Sequence, residues 1–228
     1  MASAKGETGG GMERAEDGSI WPHPRDDEVV RQIRAGVQAL CAEFPGAYWR
    51  ELDRERAYPS AFVEALTRAG YLACLIPEAY GGAGLGLRAA AAILEEIHLS
   101  GGNAAACHAQ MYVMGALLRH GSAEQQARWL PGIASGALRL QAFGVTEPDA
   151  GSDTTAIRTT ATRRPDGSYV VSGQKIWTSR AEHSDLMLLL ARTTPRERVG
   201  RRTDGLSLFL LDLRDAPGLT IRPVRTMV

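Results

Sequence analysis

FGVTEPDAGSD, Phe143 to Asp153, falls where the chain changes its hydrophobic period, and it sorts everything around it. Before it, apolar residues recur at three- and four-residue steps, the spacing of one helix face. After it they form short runs separated by turn residues, the spacing of strands. The segment itself makes unusual demands. Thr146 and Ser152 bring hydroxyls that both donate and accept, Gly151 allows a ligand close to the backbone, and Pro148 fixes the turn between them. Such a loop suits the edge of a planar heteroaromatic ring.

Working back towards the N-terminus, Val29, Val30, Ile33, Val37 and Leu40 mark a helix within Asp26–Phe44 that Pro45 and Gly46 are expected to end. A second helix is expected from Ser60 to Ala69, on Phe62, Val63 and Leu66, with Gly70 as its stop. YLACLIPEAYGGAGLG follows. Its glycines miss the dinucleotide spacing, since the third would fall on Leu87, so a tight connection between helices is the better reading. Helices are then expected over Leu87–Leu99, broken by Gly101 and Gly102, and over Ala104–Arg119, capped by Gly121. Ser122 and Gln125 form a capping box for a last helix ending near Pro131.

Working forward, Thr155–Arg163 reads as a β-rich run, Asp166-Gly167 as a turn and Tyr169–Val171 as the returning strand of a hairpin. Leu186–Ala191, Leu206–Leu213 and Leu219–Ile221 add three short strands. Helices first and strands second imply an α+β chain or two separate domains, not a doubly wound sheet. The expected organisation is a disordered leader over 1–25 (with Met12 a candidate start), an all-α domain over 26–137 and an incomplete β-barrel-like domain over 138–228. RPVRTMV follows the last expected strand with nothing to cover its edge, so the chain reads as the front portion of a longer protein.

Composition names no function. The 228 residues are 44% apolar and 23% charged, with 26 basic residues balancing 26 acidic ones, so no global field steers the chain to nucleic acid or an anionic membrane. No apolar run approaches the roughly 18 to 20 residues of a membrane span. Cys41, Cys74 and Cys107 are odd in number and widely spaced, which argues against a disulfide framework and fits a reducing cytoplasm. His98, His108, His120 and His183 show no metal spacing.

A second segment, GQKIWTS from Gly173 to Ser179, is compatible with a flavin: Trp177 offers an apolar face, with the Thr178 and Ser179 hydroxyls beside it. The bland reading is core packing with satisfied hydroxyls. TEPDAGSD followed by GQKIWTS closely resembles the paired signatures of the acyl-CoA dehydrogenase superfamily. Supporting resemblance runs through IPEAYGGAGLG, HAQMYVMGALLRHGSAEQQARWLPGIASG, LLLARTTP and GLSLFLLDLRDAPGLTIRPVRTMV, nearly everything from residue 26 onward.

The resemblance implies an FAD-dependent enzyme that removes an α-proton from an acyl-CoA thioester as the β-hydrogen leaves as hydride to flavin N5. It places Phe143, Val145 and Thr146 against the flavin, and Trp177 and Ser179 beside its ring, with Thr178 contacting through its backbone. Gly151 and Ser152 would border the flavin and thioester site, Ser152 on the substrate side. The family usually carries threonine at the Ser179 position and an apolar residue at that of Thr178. It takes its catalytic base from a C-terminal helical domain, so none is assigned here. It also implies a homotetramer, with an electron-transferring flavoprotein as acceptor.

Glu147 is expected to be structural, Asp153 to fix a turn, Glu95 and Glu96 to be surface or interhelix charges, and Met111, Tyr112 and Met114 to pack a helix. An acyl-CoA oxidase, a flavin monooxygenase or a non-catalytic flavin- or acyl-CoA-binding fragment would share these features.

Overall fold

The computed structural model describes residues 26–224; the expected leader over 1–25 and the last residues of the expected edge, 225–228, lie outside them. Six α-helices precede five strands. They are α1 (Glu28–Ala42), α2 (Gly46–Glu55), α3 (Ser60–Arg68), α4 (Leu87–Leu99), α5 (Ala105–His120) and α6 (Ala123–Ser135), then β1 (Leu140–Gly144), β2 (Thr160–Arg163), β3 (Tyr169–Ser172), β4 (Leu186–Arg192) and β5 (Leu206–Asp212).

The helical half closes around Val37, Phe62, Leu66, Ile93, Ile97 and Cys107, all buried. Each large side chain removed from water there contributes about 1.5–3 kcal/mol. Arg34 of α1 adds a polar tie, reaching Glu95 at 2.8 Å and Glu96 at 3.2 Å on α4 and Asp26 at 2.7 Å. Those two glutamates are therefore interhelix charges, as expected.

Four local expectations need correction. Pro45 and Gly46 do end α1, but they also start α2, with Pro45 as its N-cap. The α2 helix has no buried aliphatic stripe; Tyr48 and Trp49 hold it by edge contacts with Phe44 and Phe62, and the Trp49 indole donates to the Phe44 carbonyl. Pro131 does not end α6, which runs on to Ser135 and stops at the left-handed Gly136. Leu130 and Ile133, both fully buried on either side of Pro131, outweigh the cost of a proline in mid-helix, about 3 kcal/mol. Of Thr155–Arg163, only Thr160–Arg163 is strand, preceded by a 3₁₀ turn over Thr154–Ala156; Leu219–Ile221 forms no strand.

The glycine-rich loop after α3 is the tight connection expected. Ala83, Gly84 and Leu85 donate back to the carbonyls of Ala73, Ile76 and Cys74. A Cβ on Gly82 would lie 2.1 Å from the Ile76 carbonyl oxygen. The capping box also forms, with Ser122 and Gln125 exchanging bonds.

The sheet is mixed. β4 is its centre, pairing parallel to β1, antiparallel to β5 along its length, and parallel to β2 at Thr160–Arg192; β2 and β3 form the expected hairpin. Side chains alternate across β4. Leu186 and Leu188, with Leu140 of β1, pack on Val113, Met114, Leu117, Leu130 and Ile133 of α5 and α6. Met187 and Leu189 face the other way, under Phe209, Leu211 and Leu213. β1, which hydrophobic period alone did not separate from its surroundings, thus docks the sheet on the helices and ends at the Phe143–Asp153 loop.

Candidate flavin site

Two loops meet at the end of β1. The backbone N–H of Ile176 donates to the Thr146 carbonyl at 2.9 Å. The Lys175 ammonium donates to the Val145 carbonyl and to Glu147 Oε1, each at 2.9 Å. Glu147 also accepts the backbone N–H groups of Arg158 at 2.6 Å and Thr159 at 2.9 Å. One carboxylate thus binds three segments: its own loop, the approach to β2 and the GQKIWTS loop.

Both partners of this pair are buried, with side-chain exposures of 8% for Lys175 and 7% for Glu147. Burial pushes the Glu147 carboxyl up, but the nearby Thr159 hydroxyl, the two amides and Lys175 together hold it down at about 2. The Thr159 hydroxyl acts through proximity, since its oxygen makes no hydrogen bond of standard geometry. Burial lowers the Lys175 pKa, and Glu147 partly restores it. Close packing fixes the same junction from the other side: a Cβ on Gly173 would lie 2.6 Å from the Thr159 Cα.

Beyond this junction the loops present polar groups that the protein does not use. Among the described residues, the hydroxyls of Thr146, Ser152, Thr178 and Ser179 have no hydrogen-bond partner. Trp177 is 62% exposed and sits at φ 61°, a left-handed conformation that a side-chain-bearing residue adopts at a cost of about 1–2 kcal/mol. The core-packing reading of this tryptophan is therefore wrong. Nothing lies within 4 Å of the Cβ position of Gly151. Phe143 leaves β1 partly buried, its ring 6.2 Å from that of Tyr112 on α5.

An exposed aromatic face, four unpartnered hydroxyls and an open glycine fit the edge of a flavin ring. Asp153 fixes its own turn, accepting from the Thr155 amide and hydroxyl. Met111 and Met114 pack the helix as expected, whereas Tyr112 is 46% exposed. The surface cavities lined by Leu213–Pro217 with Leu219 and Ile221, and by Tyr58 with Thr67 and Arg139, contain no residue of the two loops.

Lys175 and Arg180 stand out only in the fold. Lys175 left one signal, a lone cation in an otherwise uncharged GQKIWTS. Arg180 follows at φ 59°.

Comparison with known proteins agrees with this architecture. Residues 27–137 match the family described as acyl-CoA dehydrogenase, N-terminal domain, and residues 142–228 match acyl-CoA dehydrogenase, middle domain. An acyl-CoA dehydrogenase of Mycobacterium tuberculosis is 30% identical over 200 residues, covering 87% of this chain and 50% of its own length. The acyl-CoA dehydrogenase of Geobacillus kaustophilus superposes with a TM-score of 0.77 at 27% identity, covering 86% of this chain and 50% of that one. The prolyl acyl carrier protein oxidase AnaB gives 0.78 at 25% identity, covering 89% and 53%. The chain belongs to the acyl-CoA dehydrogenase family, and it spans about half the length of these relatives.

Proposed function

We propose that this chain carries the flavin-binding half of an FAD-dependent acyl-CoA dehydrogenase acting on an acyl-CoA thioester. The observation that supports this most is the junction at Glu147 and Lys175, which holds an exposed Trp177 and four unpartnered hydroxyls on two adjoining loops. The backbone of Phe143, Val145 and Thr178 and the side chains of Thr146, Trp177 and Ser179 would hold FAD. Gly151 and Ser152 would lie between it and the thioester. Bound FAD supplies the hydride-accepting N5. The chain orients its ring with fixed donors, so little reorganisation is needed when charge develops.

The general base is assigned to no described residue. Glu95 and Glu96 are taken up by Arg34, Glu147 by Lys175 and two amides, and Asp153 by its own turn. The carboxylate would come from a further helical domain. The same reading takes the helical and β-domains to divide near residue 138. It gives the full-length protein an electron-transferring flavoprotein as acceptor, a homotetrameric assembly, a cytoplasmic location and a role in fatty acid metabolism.

Similarity to an oxidase favours one alternative, re-oxidation of the reduced flavin by oxygen. Anaerobic addition of acyl-CoA thioesters to the FAD-loaded full-length protein tests the main reading. Bleaching of the visible flavin bands is expected, and bands that persist with every thioester would refute it. Admitting air then separates the two: immediate return of the bands with peroxide release marks the oxidase.

A further inference from the structure

The segment that carries Trp177, Thr178 and Ser179 is tied at both ends. At its start the Ile176 N–H donates to the Thr146 carbonyl at 2.9 Å. At its far end the Arg180 carbonyl accepts the Ser184 hydroxyl at 2.9 Å and the His183 N–H at 3.1 Å. The second tie leads into the helical half. Ser184 Oγ accepts the backbone N–H of Gln141 at 3.3 Å, and Gln141 Oε1 accepts the Tyr58 hydroxyl at 2.7 Å. The Tyr58 ring stacks on the His183 imidazole, with centroids 4.3 Å apart and planes 19° from parallel. One side chain from the connection between α2 and α3 thus meets both β1 and the turn that closes the flavin loop.

That side chain is itself held. Pro59 follows it and disfavours helical backbone at Tyr58, whose carbonyl accepts the Ser60 N–H at 2.8 Å. Burial pushes the phenol up, which keeps the hydroxyl a donor. Gln141 is fully buried and its side-chain N–H₂ has no partner, so among the described residues the bond from Tyr58 is the one hydrogen bond its side chain makes. A buried amide left half-satisfied is costly, and packing alone would favour an apolar residue there. At the other end of the chain of contacts Arg180 sits at φ 59°, a conformation that persists only where its surroundings fix it.

We propose that Tyr58 is a positioning residue for the flavin site: from the helical half it fixes the far end of the Trp177–Ser179 segment through Gln141, Ser184 and His183. Without this tether FAD would have to order the segment itself, and that ordering is subtracted from its affinity. This inference rests on the flavin-binding reading above.

The test uses full-length protein and three variants. Tyr58→Leu removes the stack and the hydrogen bond, Tyr58→Phe removes only the hydrogen bond, and Ile93→Val lowers stability in the helical core without touching either. FAD affinity is read from flavin fluorescence, and the flavin midpoint potential from anaerobic reduction beside a reference dye at saturating FAD. Tyr58→Leu is expected to weaken FAD binding by about tenfold, the scale of one hydrogen bond and one ring contact. It should also lower the potential, because donors held less firmly stabilise the charge of reduced flavin less. Tyr58→Phe should fall between Tyr58→Leu and the wild type. Ile93→Val should lower the thermal midpoint and leave both flavin readings unchanged.

Wild-type affinity and potential in Tyr58→Leu overturn the positioning role and leave the flavin reading standing. Flavin readings that follow the thermal midpoint across all three variants overturn it too, since Tyr58 would then act on stability alone. A wild type that binds no FAD overturns both.

Discussion

Lys175 and Glu147 decide more than any other pair whether the two loops stay together. Removing one partner strands the other charge in a buried site, which typically costs 3–5 kcal/mol. Lys175→Met should therefore lower the unfolding free energy by about 3 kcal/mol in urea titrations, and Glu147→Gln in the same chain should recover part of it. A single substitution with no effect would mean that the pair is solvated. The pH dependence follows from the same geometry. The Glu147 carboxyl titrates at about 2 in the fold against an ordinary 4.5, so its contribution is complete above about 4.5 and is lost as pH falls towards 2. Glu147→Gln should flatten stability over that acid window, and a wild-type acid limb that persists unchanged in the variant would refute the assignment.

At Trp177, folding and binding pull apart. The ring is mostly exposed, and the left-handed backbone favours glycine. Trp177→Gly should leave the thermal midpoint little changed or slightly raised, while weakening FAD binding by about tenfold, near the upper range of one aromatic stacking contact. A fall in thermal midpoint with FAD affinity intact would show that the indole is structural.

Among the elements, α6 is where local rules and packing conflict most openly. Pro131 removes one backbone hydrogen bond and crowds the carbonyl of Ala127, yet the helix continues because Leu130 and Ile133 are buried beside it. Pro131→Ala should raise the unfolding free energy in urea titrations by about 1 kcal/mol or more, and the urea midpoint with it, the helix gain being reduced by extra freedom in the unfolded chain. A lower midpoint would mean that the proline fixes a bend the packing requires.

The same conflict explains what was legible in the sequence. α4 and the hairpin could be read from it because propensity, period and turn residues agree there. α2 could not, because aromatic edges hold it instead of an aliphatic stripe. β1 escaped because a five-residue run between a helix and a glycine has no period of its own. The ring-edge residues were legible through their motif. Lys175 and Arg180 were not, because whether a cation is buried, and against what, depends on segments far away in sequence.

At the scale of the molecule, Cys41, Cys74 and Cys107 lie in one core, contributed by α1, the glycine-rich connection and α5. Burial raises all three thiols, that of Cys74 to about 11 and that of Cys107 further. A thiol reagent should label none of them in the folded protein and all three together as urea unfolds it, because thiolate and access appear only then. Labelling of one cysteine well before the others would show that the helical half opens in parts. No described helix is long and apolar enough to cross a membrane, and among the described residues no group of side chains could hold a metal ion.

The parallel pairing of β1 with β4 also sets a timetable for the chain. Arg139, at the foot of β1, is joined to Asp185, at the foot of β4, across 46 positions. During synthesis the helices can condense from neighbouring contacts as they emerge, whereas β1 must wait for β4 to leave the ribosome before it gains its strand partner. Closing so long a segment makes that pairing the slow stage of folding. Until then the Glu147 and Lys175 loops can meet each other but have no paired β1 to rest on, so among the described residues the surface that would receive FAD is assembled late.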